Sequence, residues 1–195
     1  RVGTLMSTIA PGNVKGIELQ YRGSIAGMDI EPVTLGFLMG LLQPHFDMHL
    51  NMVNTPVLAK ERGISIDETK NVEAKNVASS LSAKVTTTKL TRTVTGSVFG
   101  ETLLRIIEID GFNIEMTPQG AVLVISNDDK PGVIGAVGTI CGKHGINIGT
   151  MGVGQKMEES KAVLAVSLDK EPDTETIDEL RKLDFINEIY VCTLK

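Results

Sequence analysis

The chain has 195 residues, 42% hydrophobic and 22% charged, which is enough apolar sequence for two small domains with buried cores. Its net charge of −5 argues against a nucleic-acid or anionic-membrane surface, because such binders concentrate Lys and Arg to replace counterions. The longest strongly apolar helical run, 33–42, is too short to cross a bilayer, and Cys141 and Cys192 show neither CxxC nor Cys/His spacing, so a reduced cytoplasmic protein is expected.

In chain order, residues 1–13 (RVGTLMSTIAPGN) are weakly patterned and close on Pro-Gly-Asn turn chemistry. They are expected to be a connector from an upstream domain, and the chain, opening on Arg1 rather than Met, is expected to be a piece of a longer polypeptide. Residues 14–23 alternate at Ile17, Leu19 and Tyr21, which predicts a strand with one buried face. Leu35, Leu38, Met39, Leu42 and Phe46 recur at helical spacing and predict an amphipathic helix over 33–46, kinked or stopped near Pro44. In NMVNTPVLAKERG (51–63), Thr55 can cap, Pro56 suits a first helical position and Gly63 ends the turn, predicting a short helix over 56–62. From 76 to 116 the pattern is β: Val77, Ser79, Leu81 and Ala83 alternate, 94–99 and 103–109 follow, and Asp110-Gly111 before 112–116 signals a hairpin. Thr117-Pro118-Gln119-Gly120 is the expected boundary between a first domain, 14–119, and a second, 120–195.

The second domain opens on the most strongly organised stretch, AVLVISNDDKPGVIGAVGTICGKHGINIGTM (121–151). Residues 121–125 read as a buried strand, and Pro131 suits a first helical position. Val133, Ile134, Val137, Ile140 and Cys141 then form one helical face, expected to lie on the sheet, and His144-Gly145 ends the helix before a strand restarts at Ile146. Residues 161–168 predict a strand covered on both faces, Asp173 caps a helix with a stripe of Ile177, Leu180 and Leu183, and 187–194 is the last strand. The order βαββαβ predicts a ferredoxin-like sheet with both helices on one face, and the whole reads as α+β.

The helix start near Gly132, Val133 and Ile134 offers free N–H groups and a positive dipole end, both suited to a carboxylate. Asn127, Asp129 and Asn147 are expected at the edges of the same loop, so that an α-amino acid would find partners for its ammonium and side chain. The plain alternative is that Asp129 and its neighbours only cap the helix and make the turn. The glycines at 152 and 154 suggest a dinucleotide loop but lead into a polar turn, 155–159, and another strand, with no helix to receive a pyrophosphate. Gly132, Gly135 and Gly138 fall inside the helix, as close packing or a thin ligand-facing wall.

His45 and His49 lie four apart but lack HExxH and a third ligand, so no metal site and no catalytic residue is expected. Lys84, Lys89, Arg92 and Arg105 on the β-rich segment are either solvated strand charges or a possible anion site.

The segment DDKPGVIGAVGTICGKHGINI (128–148) resembles the opening of an ACT domain, the small-molecule-sensing module found at the end of D-3-phosphoglycerate dehydrogenases. NMVNTPVLAKERG resembles a hallmark stretch of that family's intervening, or allosteric substrate-binding, domain. The resemblance implies a regulatory region with no cofactor of its own. NAD and the oxidation of 3-phosphoglycerate, the first committed step of L-serine synthesis, would belong to catalytic domains preceding Arg1.

It further implies L-serine as effector, held across paired ACT domains in a homodimer or homotetramer by Asn127, Asp129, Asn147 and the amides of Gly132 to Ile134. The family varies at the position of Asn127. The family's anion site carries over at Arg105, while Thr117 stands where a second arginine is expected. Two alternatives share parts of this plan: the β chain of an iron–sulfur L-serine dehydratase, whose Ser-rich stretch and cluster cysteines are not apparent here, and a free-standing amino-acid sensor.

Overall fold

The computed structural model describes residues 1–195 apart from Lys75, Glu101, Met157, Glu158 and Lys195, so two residues of the expected polar turn lie outside the described residues. The chain divides into two units, 1–106 and 107–195.

In the first unit, β1 (Val14–Gly23) is the inner strand that the alternation of Ile17, Leu19 and Tyr21 predicts, with all three side chains buried. It pairs in parallel with β2 (Ser65–Asn71) and antiparallel with β3 (Ser79–Thr87), which pairs with β4 (Thr91–Phe99). Strand β5 (Leu103–Ile109) follows beside β4 and runs into the second unit. Parallel neighbours need a crossover, and α2 (Glu31–Leu42) and α3 (Asn54–Glu61) supply it.

Helix α2 starts earlier than predicted, at Glu31 with Pro32 in its first turn, and ends at Leu42, where a single 3-10 turn, Gln43–His45, takes over. Its buried side is Thr34, Phe37, Leu38, Leu41 and Leu42, rather than the expected stripe through Leu35 and Met39. Helix α3 is capped by Asn51, whose Oδ1 accepts from the amides of Val53 and Asn54, each at 2.9 Å. Thr55, expected as the cap, lies inside the helix and donates to the Asn51 carbonyl at 2.6 Å.

The expected connector contains a core element, α1 (Val2–Ile9), with Leu5, Met6 and Ile9 buried. It packs against α2 and β4, and Arg92 Nε donates to its last carbonyl, that of Ile9, at 3.1 Å. Glycines set the helix spacing: a Cβ on Gly3 would stand 2.1 Å from the Phe37 carbonyl oxygen, and one on Gly40 2.9 Å from the Thr4 amide. Between the layers the buried Tyr21 hydroxyl meets Thr34 Oγ1 at 2.7 Å, and Thr34 donates onward to Glu68, tying β1, α2 and β2 together. Burial, more than the nearby Glu68 charge, holds the Tyr21 phenol above its usual pKa, against the Thr34 hydrogen bond.

The second unit takes the end of β5, the Asp110-Gly111 turn with both residues at positive φ, and β6 (Phe112–Met116). Then come β7 (Gly120–Asp128), α4 (Val133–Lys143), β8 (Ile148–Lys156), β9 (Lys161–Leu168), α5 (Thr174–Arg181) and β10 (Ile186–Leu194). The sheet order β10-β7-β9-β8, antiparallel at every pairing, is the predicted ferredoxin-like arrangement.

Val133, Val137, Ile140 and Cys141 of α4 and Ile177 and Leu180 of α5 close one core with Leu123, Ile125, Leu164 and Val166 of the sheet. Asp173 caps α5 as expected, accepting from the Thr176 amide at 2.8 Å. Both cysteines are buried thiols, and burial raises the Cys141 pKa. Ile134, expected on the core face, is 54% exposed and points away from it.

Candidate functional site

The last turn of β7 and the loop after it carry the polar residues that the sequence singles out. Asn127 is in register with Ile186 of β10 and Ala162 of β9, so its side chain is enclosed and only 1% exposed. Its Nδ2 donates to the Asp128 carbonyl at 2.7 Å, while its Oδ1 has no partner among the described residues. A buried acceptor left so forfeits about 1–3 kcal/mol unless something donates to it.

Asp128 is the electrostatic centre of this end of the sheet. Its carboxylate takes Lys161 Nζ at 2.6 Å, Lys130 Nζ at 3.2 Å and Asn187 Nδ2 at 3.4 Å. The Lys161 hydrogen bond, with help from Lys130 and Asn187, holds its pKa down at about 2. Asp129 points elsewhere, its oxygens accepting from Gln155 Nε2 at 2.9 and 3.0 Å, and its amide donates to the Ser160 carbonyl at 3.0 Å. The roles of Asp128, Lys161 and Gln155 were not visible in the sequence, since their partners come from strands 26 to 59 residues away.

Helix α4 begins beside this cluster. Gly132, at φ 96°, precedes Val133 and provides no side-chain cap, and Pro131, expected as the first helical residue, stands one place earlier still. Gly135, Gly138 and Gly142 are not closely packed, since an added Cβ would meet nothing within 4 Å. The outer side of α4 is therefore an open face of bare backbone with Ile134 at its head.

Asn147 is not at the same loop. It precedes β8, whose Ile148 is in register with Leu168, as is Ala121 of β7, whereas Asn127 is in register with Ala162. The eleven residues of α4 carry the chain back along the sheet, so within one chain Asn147 stands at the opposite end from Asn127 and Asp129. There its amide donates to Asp169 Oδ1 at 2.9 Å.

The four basic residues of the first unit do not form one constellation. Lys84 is in register with Glu18 and pairs with it at 2.7 Å. Arg92 is opposite the buried Val85 and so on the helix-covered face, the other face from Lys84, where it donates to Ile9. Lys89 lies in the β3–β4 turn, and Arg105 Nη1 donates to the Leu104 carbonyl at 3.1 Å, on β5.

Among the described residues, no group of three His, Cys, Asp or Glu is placed to hold a metal ion, and no helix is long and apolar enough to cross a membrane. The Gly152-Val153-Gly154 stretch does not fit a dinucleotide: it lies within β8, and a Cβ on either glycine would stand 2.5 to 2.6 Å from carbonyl oxygens of β6.

A four-stranded βαββαβ sheet with a polar cluster at one end, following in sequence a mixed sheet with a parallel crossover, defines an α+β chain with an ACT domain in its second part. The ACT domain family matches residues 121–185, and the family described as the D-3-phosphoglycerate dehydrogenase intervening domain matches residues 1–110. The chain belongs to that D-3-phosphoglycerate dehydrogenase family. Among similar proteins, the D-3-phosphoglycerate dehydrogenase of Bacillus subtilis (strain 168) is 36% identical over 197 residues, covering 100% of this chain and 37% of its own length. Those of Synechocystis and Methanocaldococcus jannaschii are 31% and 30% identical, over 99% of this chain and 35% and 36% of their own lengths. The chain thus spans little more than a third of the relatives it matches.

Proposed function

We propose that this chain is the regulatory region of an NAD-dependent D-3-phosphoglycerate dehydrogenase, and that its ACT domain, from about residue 120, binds L-serine between two copies. The family matches end at residue 110 and resume at 121, which supports a domain boundary between them, later in the chain than the division of the compact units after Ile106. Oxidation of 3-phosphoglycerate and the binding of NAD belong, on this reading, to catalytic domains outside this sequence. The observation that carries the effector site is Asn127, buried, with an acceptor oxygen lacking a donor, on the strand that leads into the uncapped start of α4.

The ammonium of an amino acid is a donor for Asn127 and a counter-charge for Asp129, and its carboxylate suits the first-turn amides of Val133 and Ile134. Asn147 completes such a site only from a second copy. Two copies related by a two-fold axis, with their α4 and β8 edges side by side and reversed, bring Asn147 of one to the level of Asn127 and Asp129 of the other. The open glycine face of α4 and the exposed Ile134 support pairing along that edge. A ligand bridging the copies would shift their arrangement by its differential affinity for the bridged state.

Calorimetry with L-serine, D-serine and glycine tests this, alongside light scattering for the dimer. L-serine is expected to bind and to stabilise the dimer, D-serine to bind more weakly, and Asp129→Ala and Asn147→Ala each to weaken binding by roughly tenfold to a hundredfold. Equal binding of both enantiomers, or full affinity in both variants, would remove the serine reading and leave the fold untouched.

A further inference from the structure

Basic side chains from distant parts of the first unit converge on one cavity. Where β1 and β2 begin, the chain forms an open cavity of about 200 Å³ bordered by Asn13, Lys15, Leu42, His45, Phe46 and Arg62. Parallel pairing of Gly16 with Ser65 brings the two strand starts together, and the ends of α2 and α3 return to the same place. Three basic groups thereby meet from three separate elements: Lys15 on β1, His45 in the turn after α2, and Arg62 at the end of α3.

In this acidic chain, Lys84, Lys130, Lys143, Lys156, Lys161 and Arg181 each have a carboxylate partner. Among the described residues, Lys15, His45 and Arg62 have none within ion-pairing distance, although Lys15 also borders a shallow groove containing Glu18 and Asp67. Arg62 instead stacks its guanidinium carbon 3.9 Å from the centroid of the Phe46 ring. Stacking uses the face of the group and leaves its in-plane N–H donors available. Burial, and secondarily the charge of Arg62, lowers the His45 pKa, so the ring is neutral near pH 7 and can donate one hydrogen bond without adding to the repulsion.

We propose that this cavity binds a small phosphate-bearing anion, with Arg62 and Lys15 supplying the charge and His45 and Asn13 neutral polar contacts. Donors arriving from several directions suit the tetrahedral oxygens of phosphate, whereas a planar carboxylate is already satisfied by a single guanidinium fork. The volume admits a phosphate with a few carbon atoms. The site is distinct from the sheet end carrying Asn127 and from the cluster predicted at Lys84, Lys89, Arg92 and Arg105, and it stands or falls independently of the serine reading.

The test is NMR of the three histidine rings in the full 195-residue chain, titrated with inorganic phosphate against a chloride series of equal ionic strength. Phosphate, and not chloride or L-serine, is expected to shift His45 saturably while His49 and His144 stay in place. Arg62→Gln and Lys15→Gln are each expected to weaken the apparent phosphate affinity by roughly tenfold, with Lys182→Gln unchanged. A His45 shift equal in chloride or in L-serine, or a phosphate affinity unchanged in Lys15→Gln, would overturn the site. Lys15 is exposed at a strand start, so its variant keeps the fold and decides the matter even if loss of the Phe46 stack unfolds Arg62→Gln.

Discussion

Asp128 lies between two residues that the sequence marks as ligand contacts, and its own task is different. Three partners hold its charge, so its carboxyl titrates at about 2 in the folded chain against roughly 3.9 in an unfolded one. A carboxyl whose pKa is depressed by folding contributes stability that is fully present above the unfolded value and is lost as pH falls through the folded one. Melting temperatures followed from pH 5 to pH 2 are therefore expected to fall less steeply in Asp128→Asn than in the parent chain between about pH 4 and 2; equal slopes would mean that the three contacts do not discriminate between the charged and neutral forms. The neighbourhood was only partly legible beforehand. Asp129 and Asn127 stood out because turn chemistry and helix starts are local patterns, whereas the bonds of Asp128 to Lys161 and Asn187 follow from strand register, which no local window contains. The Lys15, His45 and Arg62 grouping was hidden for the same reason, since its members are separated by the whole crossover.

At the scale of elements, the sequence revealed strands whose alternation is strong and turns whose residues are specific. Strand β1, the Asp110-Gly111 hairpin and the βαββαβ order all follow from such signals. Strand β2, SIDETKN, did not: it lies at the edge, mostly exposed, and is recruited by β1 rather than by its own pattern. The face of α2 was misread because EPVTLGFLMGLL is apolar nearly all round, so periodicity cannot choose a side.

Helix α1 was missed because eight residues that include a glycine and β-branched Val, Thr and Ile are poor helix formers alone. Tertiary contact makes it a helix, through the close approach at Gly3 and Gly40. Gly3→Ala places a methyl group against a backbone carbonyl and is expected to destabilise the chain by about 1–3 kcal/mol in urea unfolding. Gly36→Ala, on the facing helix α2 and with open space around it, is expected to stabilise by about 0.5–1 kcal/mol. If the two substitutions behaved alike, helix propensity and not interhelical distance would govern this contact.

For the molecule as a whole, each sheet places its earliest strand away from the edge. Strand β1 lies between β2 and β3, and β7 lies between β9 and β10. The last partner, β10, pairs with β7 from Ile186 onward, at the very end of the described chain. A chain cut after Asp184 is expected to lose the cooperative unfolding of the second unit, seen as loss of near-ultraviolet dichroism and protease resistance there, while the first unit stays protected; persistence of both would mean that three strands suffice.

The inner position of β1 and β7 also sets the order of events as the polypeptide leaves the ribosome. Each sheet's first-made strand must wait, one edge bare, until dozens of later residues have emerged, and for β7 the wait lasts until β10 has been made. Closure that depends on such distant partners is slow compared with local helix formation. A sheet built this way is completed late relative to its first strand, and until then its aggregation-prone apolar strands are within reach of chaperones.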